Sequence, residues 1–188
     1  MIDLTKFCSQ DATRFNIQEP FSKGEWTYAT NGHICIRVPM LHVPAFPEKK
    51  EAPDCERIFN KAEERGPYEW VPVPEVQVEI VMCDDCKGSG KERVGQLKGY
   101  GIACFECFGV GHYPKCQPVT FPLGSPPSQT IHLSNIYLDL IRKELPNPQI
   151  GLTVKAASIR SGITPVKIKF DGGEGLLMPM RIKEGGEL

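Results

Sequence analysis

WTYATNGHICIRV, residues 26–38, organises the reading of this chain. Two runs rich in β-branched and aromatic residues, 26–30 and 33–38, flank Asn31-Gly32, the dipeptide that best tolerates the positive φ values of a tight hairpin turn. Ile34, Ile36 and Val38 alternate with Cys35 and Arg37, which predicts a hairpin with one buried face. Upstream, DLTKFC (3–8) reads as a short helix, with Asp3 as its cap and Leu4, Phe7 and Cys8 on one face. Downstream, the four prolines between Pro39 and Pro53 and the EKKE run mark a loop. Asp54 then caps a helix over 54–65 in which Cys55, Ile58, Phe59 and Ala62 follow helical spacing, stopped by Gly66 and Pro67.

The remainder alternates between extended and helical patterns. VQVEIVM (76–82) and PVTFPL (118–123) read as strands, and GSPPSQ (124–129) as a connector. Residues 134–145 fit an amphipathic helix with Tyr137, Leu140 and Ile141 inward and Asn135, Asp139, Arg142 and Lys143 toward water. IGLTVKA (150–156), PVKIKF (165–170) and, after a DGGEG turn, LLMPMRI (176–182) complete the set as strands. The two ends thus each read as a helix followed by about three strands, an α+β arrangement of two similar units.

With 22 basic and 23 acidic residues among 188, the net charge is −1, which excludes a strongly basic coat. Residues 1–82, 83–116 and 117–188 carry −4, +1 and +2, so the acidity sits in the first segment. No run approaches the roughly 18 apolar residues of a membrane helix. The opening MIDLTKFCSQDATR has neither the basic flank nor the apolar core of a signal peptide, so the expected location is cytoplasmic.

The chemistry concentrates in the cysteines. CDDCKGSG (83–90) and CFECFGVG (104–111) are two copies of C-x-x-C-x-G-x-G, and residues 87–103 separate Cys86 from Cys104. One CxxC turn brings two thiolates to one side of an ion and a second completes a tetrahedron, with Zn–S bonds of about 2.3 Å. The glycines let the chain turn back so that backbone amides point at sulfur. Four sulfurs from Cys83, Cys86, Cys104 and Cys107 leave no open position, so the expected cofactor is one structural Zn²⁺. A redox dithiol or a free thiol pair is the alternative, although a redox CxxC usually opens a helix and here glycines follow each pair. His112 and Cys116 are the other ligand types within reach in sequence.

Between the knuckles, Lys87, Lys91, Arg93 and Lys98 oppose a single acid, Glu92, and Tyr100, Phe105, Phe108 and Tyr113 lie close by. Cations for phosphate beside aromatics for stacking suit nucleic acid; the plainer reading packs the aromatics inside the module and leaves the lysines solvated. No Ser, Cys or acid stands at a diagnostic spacing from His33, His42, His112 or His132, and no phosphate-binding glycine loop is present. The expectation is a binding protein and not an enzyme.

Two resemblances follow. The cysteine motifs resemble those of the DnaJ-type cysteine-rich zinc finger, with two of that family's four repeats and without its His-Pro-Asp signature, which implies zinc ligation but no co-chaperone role. TYATNGHICIRV (27–38), together with IHLSNIYLDLI, VKIKFDGG and GLLMPMRI within 131–182, resembles the bacterial DNA sliding clamp, the polymerase III β subunit. That likeness implies a clamp-like domain of two helix-plus-strands units, its halves at 1–82 and 117–188, with the zinc module inserted at 83–116. It further implies DNA contact by the helix cations Lys6, Arg142 and Lys143, and a partner-peptide groove at Met178, Pro179 and Met180. A single domain would need about six copies to close a ring like that of the clamp, so a homo-oligomer is one expectation. The combination points to a bacteriophage or prophage protein acting on DNA or on a replication or host protein; the alternative is a protein–protein adaptor that grips its partner through the zinc module.

Overall fold

The computed structural model describes residues 2–11, 13–43, 46–49, 51–91, 103–104, 106–107, 109–124, 129–153 and 165–181. In chain order its strands are β1 (Phe21–Lys23), β2 (Trp26–Thr30), β3 (Ile34–Pro39), β4 (Glu69–Pro72), β5 (Ile80–Met82), β6 (His112–Pro114), β7 (Pro118–Leu123), β8 (Gln129–Ser134), β9 (Gln149–Leu152), β10 (Val166–Phe170) and β11 (Gly173–Leu177). Its α-helices are α1 (Cys55–Glu63) and α2 (Asn135–Glu144).

The hairpin of β2 and β3 forms around Asn31-Gly32, but not through the expected tight two-residue turn: Thr30 pairs with Cys35, so residues 31–34 make the loop, and of the two only Gly32, at φ 91°, takes a positive φ. The Asn31 side chain accepts from the N–H groups of both His33 and Ile34, which fixes the turn. The hairpin sits inside a seven-stranded antiparallel sheet of order β1-β2-β3-β11-β10-β9-β4. Read outward from the β3–β11 seam, the strands are β3-β2-β1 on one side and β11-β10-β9 on the other. Each trio is a meander preceded by a helical element, Leu4–Phe7 in the first half and α2 in the second. The architecture is mixed helix and sheet, and two similar halves meet edge to edge.

Alternation assigns the faces. Ile34, Ile36 and Val38 of β3, Val166, Ile168 and Phe170 of β10, and Leu177 of β11 turn to one side. There Leu4, Phe7 and Cys8 from the first helical element and Leu138, Ile141 and Leu145 from the second cover them. Fully burying each such aliphatic side chain contributes about 1.5–3 kcal/mol, so this layer holds the two halves together. On the opposite side α1 lays Cys55, Phe59 and Ala62 over Phe21, Tyr28 and Leu176.

Several expectations need correction. The segment at 3–8 is a single 3₁₀ turn, Leu4–Phe7, because six residues cannot repay helix nucleation; Asp3 still caps it through the Thr5 N–H. The strand expected over 76–82 is confined to β5, and Pro74 with Glu75, Gln77 and Glu79 leaves the preceding residues without a ladder partner. The strand expected over 176–182 begins earlier and ends at Leu177. The turn is just Asp171-Gly172, and Gly173 and Gly175 belong in the strand because Arg37, Phe170 and Ile36 press on them too closely for a Cβ. The reading of β3 with one buried face also fails: Arg37 is 8% exposed, because α1 roofs the second face.

Candidate metal centre and neighbouring surfaces

β5 and β6 pair as a short antiparallel stem, Met82 opposite His112, and both CxxC turns lie between them in the chain. The turns are built alike. Gly88 and Gly90 in the first, and Gly109 and Gly111 in the second, all have φ between 69° and 86°, which non-glycine residues adopt only at a cost. That geometry turns the Gly90 N–H onto Cys86 Sγ at 3.3 Å and the Gly111 N–H onto Cys107 Sγ at 3.1 Å. The turns also clasp one another: the Cys83 N–H donates to the Gly111 carbonyl and the Cys104 N–H to the Gly90 carbonyl, both at 2.9 Å. A Cβ on Gly90 would strike the Gly109 carbonyl, and one on Gly111 the Gly88 carbonyl.

The outcome is four buried thiols whose sulfurs all lie within 4.8 Å of one another, with Cys83 Sγ to Cys104 Sγ 3.8 Å and Cys86 Sγ to Cys107 Sγ 3.7 Å. Such a set can hold a metal ion, and four sulfur donors suit a soft or borderline ion better than a hard cation. At Cys86, desolvation opposes ionisation but is outweighed by the Gly90 N–H and the neighbouring sulfurs, which bring the thiol down to about 7. The four cysteines form a small core of their own, joined by the Tyr113 ring. His112 and Cys116 stand outside the four-sulfur group.

Asn135 ties this module to the sheet, a role its polar character in the sequence did not reveal. Expected on the solvent face of α2, it is 2% exposed. Its Oδ1 accepts from the Gln117 N–H at 2.7 Å, and its Nδ2 donates to the carbonyls of Gln77 and Lys115 at 3.1 and 3.3 Å. One amide therefore satisfies the backbone on both strands of chain leading to and from the stem. A polar residue at the first turn of a helix ordinarily reads as a cap, so no pattern in the sequence distinguished it.

The expected nucleic-acid residues are dispersed. Lys87 pairs with Asp84 at 3.4 Å and Lys91 is exposed on the first knuckle; Arg93 and Lys98 lie outside the described residues. On the helix side Arg142 meets Glu75 at 3.3 Å, Lys143 meets Asp139 at 2.7 Å, and Lys6 meets Glu144 at 2.8 Å, linking the two halves. Every cation expected on that helix face therefore faces an acid. Met178, Pro179 and Met180 are half-buried beyond the end of β11: Met178 N–H donates to the His33 carbonyl and Met180 N–H to that of His132, both at 2.8 Å. Met178 also lines a cavity of about 340 Å³.

Under α1 lies a buried charge cluster that the alternation pattern concealed. Arg37 reaches Glu174 through Nε at 2.9 Å and through Nη2, and its guanidinium lies between the Trp26 and Phe59 rings, 4.5 and 4.1 Å from their centroids. Lys167, 6% exposed, pairs with Glu63 of α1 and with Glu174 at 3.4 Å.

Compared with protein-family models, curated proteins and solved structures, the chain matches none of them. Among the described residues no helix is long and apolar enough to cross a membrane.

Proposed function

We propose that this chain is a non-enzymatic, zinc-stapled binding protein with a sliding-clamp-like body, acting in DNA transactions by touching nucleic acid or a replication or repair partner. The observation that carries the reading is the arrangement of the two halves: two helix-plus-meander units joined at the β3–β11 seam, with both helical elements on the same face. That is the plan the clamp resemblance implies, and the paired Lys6 and Glu144 lie where the two helical elements meet. The zinc serves as scaffold for the module, and its knuckle offers Lys87 and Lys91 to phosphate. Because exposed ion pairs contribute at most about 1 kcal/mol, the helix cations remain able to exchange an acid for a phosphate.

The test is binding of duplex and single-stranded DNA across a salt series, with mass and metal content measured on the same sample by light scattering and elemental analysis. The reading expects affinity that falls as salt rises, a slope reduced by Lys91→Ala, and about one zinc per chain. A hexamer supports a ring; a monomer removes encirclement. Absence of DNA binding at low salt sinks the nucleic-acid reading.

A second reading, a protein–protein adaptor, is favoured by one specific observation. Ile80 and Met82, on the same face of β5, and Val110 on the second knuckle are 59%, 60% and 60% exposed, which places apolar side chains on the module and its stem. Such a patch suits a protein partner better than a phosphate backbone. Ile80→Ser with Met82→Ser would then abolish partner capture and leave metal content unchanged.

A further inference from the structure

Three of the cysteines outside the metal centre are distant from one another in sequence, yet the fold brings two of them together. Cys35 lies on β3, on the face roofed by α1, and Cys55 is the first residue of α1. Both pack in the same apolar cluster with Phe59 and Leu176, and both line the cavity of about 340 Å³ shared with Arg14, His33, Ile58 and Met178. The two thiols lie near enough in this cluster to perturb one another's ionisation. Cys55 is 4% exposed and Cys35 partly exposed, so the cavity gives small molecules a route to the pair.

We infer that Cys35 and Cys55 form a thiol-oxidation site that takes a small hydroperoxide and closes to a disulfide joining β3 to α1. The chemistry of the pair is asymmetric. At Cys55 the neighbouring Cys35 thiol outweighs burial and draws the thiol below its usual range, with Lys23 helping and Asp54 opposing. At Cys35 the Cys55 thiol, together with burial, pushes the thiol up, and Thr30 and Arg37 moderate the effect. Cys55 also sits at the positive end of a nine-residue helix, which favours its thiolate. Cys8 offers no such chemistry: burial pushes its thiol up to about 11, and its sulfur donates to the Leu4 carbonyl.

The reaction has two steps. The Cys55 thiolate attacks one peroxide oxygen; the O–O bond breaks, hydroxide leaves and takes up a proton as water, and Cys55 becomes a sulfenic acid. The Cys35 sulfur then attacks Cys55 Sγ. The S–S bond forms as the S–O bond breaks, and the second water leaves with the Cys35 proton. Two thiols and one hydrogen peroxide give one disulfide and two waters, the sulfurs losing the two electrons that the peroxide gains; with an organic hydroperoxide the first leaving group is the alkoxide, released as the alcohol, and one water forms. The site depends neither on the clamp-like reading nor on the metal.

Graded hydrogen peroxide on the full-length, zinc-loaded protein, followed by alkylation, trypsin digestion and mass spectrometry, tests it directly. Cleavage after Lys23, Arg37, Lys50 and Arg57 isolates Cys35 in peptide 24–37 and Cys55 in peptide 51–57. The expected result is loss of both alkylated peptides and appearance of their cross-linked product, two hydrogens lighter than the sum, while zinc remains bound. In Cys35→Ser the 51–57 peptide gains one or two oxygens instead; in Cys55→Ser the 24–37 peptide stays alkylatable. The inference is overturned if both peptides remain alkylated at doses that oxidise exposed Cys116, if Cys55 pairs with another cysteine, or if cross-linking appears only after zinc loss.

Discussion

Gly90 and Gly111 show how much of the metal centre rests on single atoms. Each has a positive φ and each sits against the carbonyl of the opposing knuckle, so a methyl group there meets both backbone strain and a collision. Gly90→Ala and Gly111→Ala are expected to cost at least about 2 kcal/mol each of metal-loaded stability, read by competition with a chromophoric chelator. Gly24→Ala is the control: its φ is 61° but nothing lies within 4 Å, so the cost is that of the backbone conformation alone, about 1–2 kcal/mol, with metal affinity unchanged. Asn135 works at the same scale through hydrogen bonds. Asn135→Ala removes the partner of the Gln117 N–H and of two carbonyls, an expected loss of about 1 kcal/mol in denaturant unfolding. The helical pattern of 134–145 was legible, yet the burial of Asn135 was not, because its partners arrive from the chain at 77 and at 115–117, distant in sequence.

Helix α1 roofs a sheet face that carries charge. Its placement rests on Phe59, Ala62 and Cys55, and its C-terminal Glu63 meets Lys167 in the Arg37–Glu174 cluster. Removing Arg37 leaves Glu174 with Lys167 as its cation, so Arg37→Met is expected to destabilise the chain by about 1–3 kcal/mol, partly recovered by adding Glu174→Gln. A double-mutant cycle of unfolding free energies measures the recovery. The helix itself was readable from Asp54 to Gly66, since its apolar residues keep a 3.6-residue period. Its docking site was not, because Arg37 and Lys167 sit at strand positions that alternation assigns to solvent, and only the packed helix makes them interior.

Taken as a whole molecule, the described residues divide into two main clusters, one on each face of the sheet, and a third around the four cysteines. The third buries too little apolar surface to fold without an ion; structural zinc typically supplies about 10–16 kcal/mol to such modules. Chelation is therefore expected to release amide protection at 83–91 and 109–111 while that of β3, β10 and β11 persists, measured by hydrogen exchange with and without metal. If removing metal unprotects the sheet equally, the module and body are one cooperative unit.

The spacing of Cys83, Cys86, Cys104 and Cys107, the turn at Asn31-Gly32 and the amphipathic periods of α1 and α2 were decided by local chemistry, because a few neighbouring residues suffice to set a φ angle, a ligand bite or a helical face. The β3–β11 seam that merges two meanders, the interior place of Arg37 and Asn135, and the meeting of Cys35 with Cys55 were decided by tertiary structure alone. These contacts join residues 18 to 143 positions apart, and their energy comes from excluding water between surfaces that exist only once each segment has already folded.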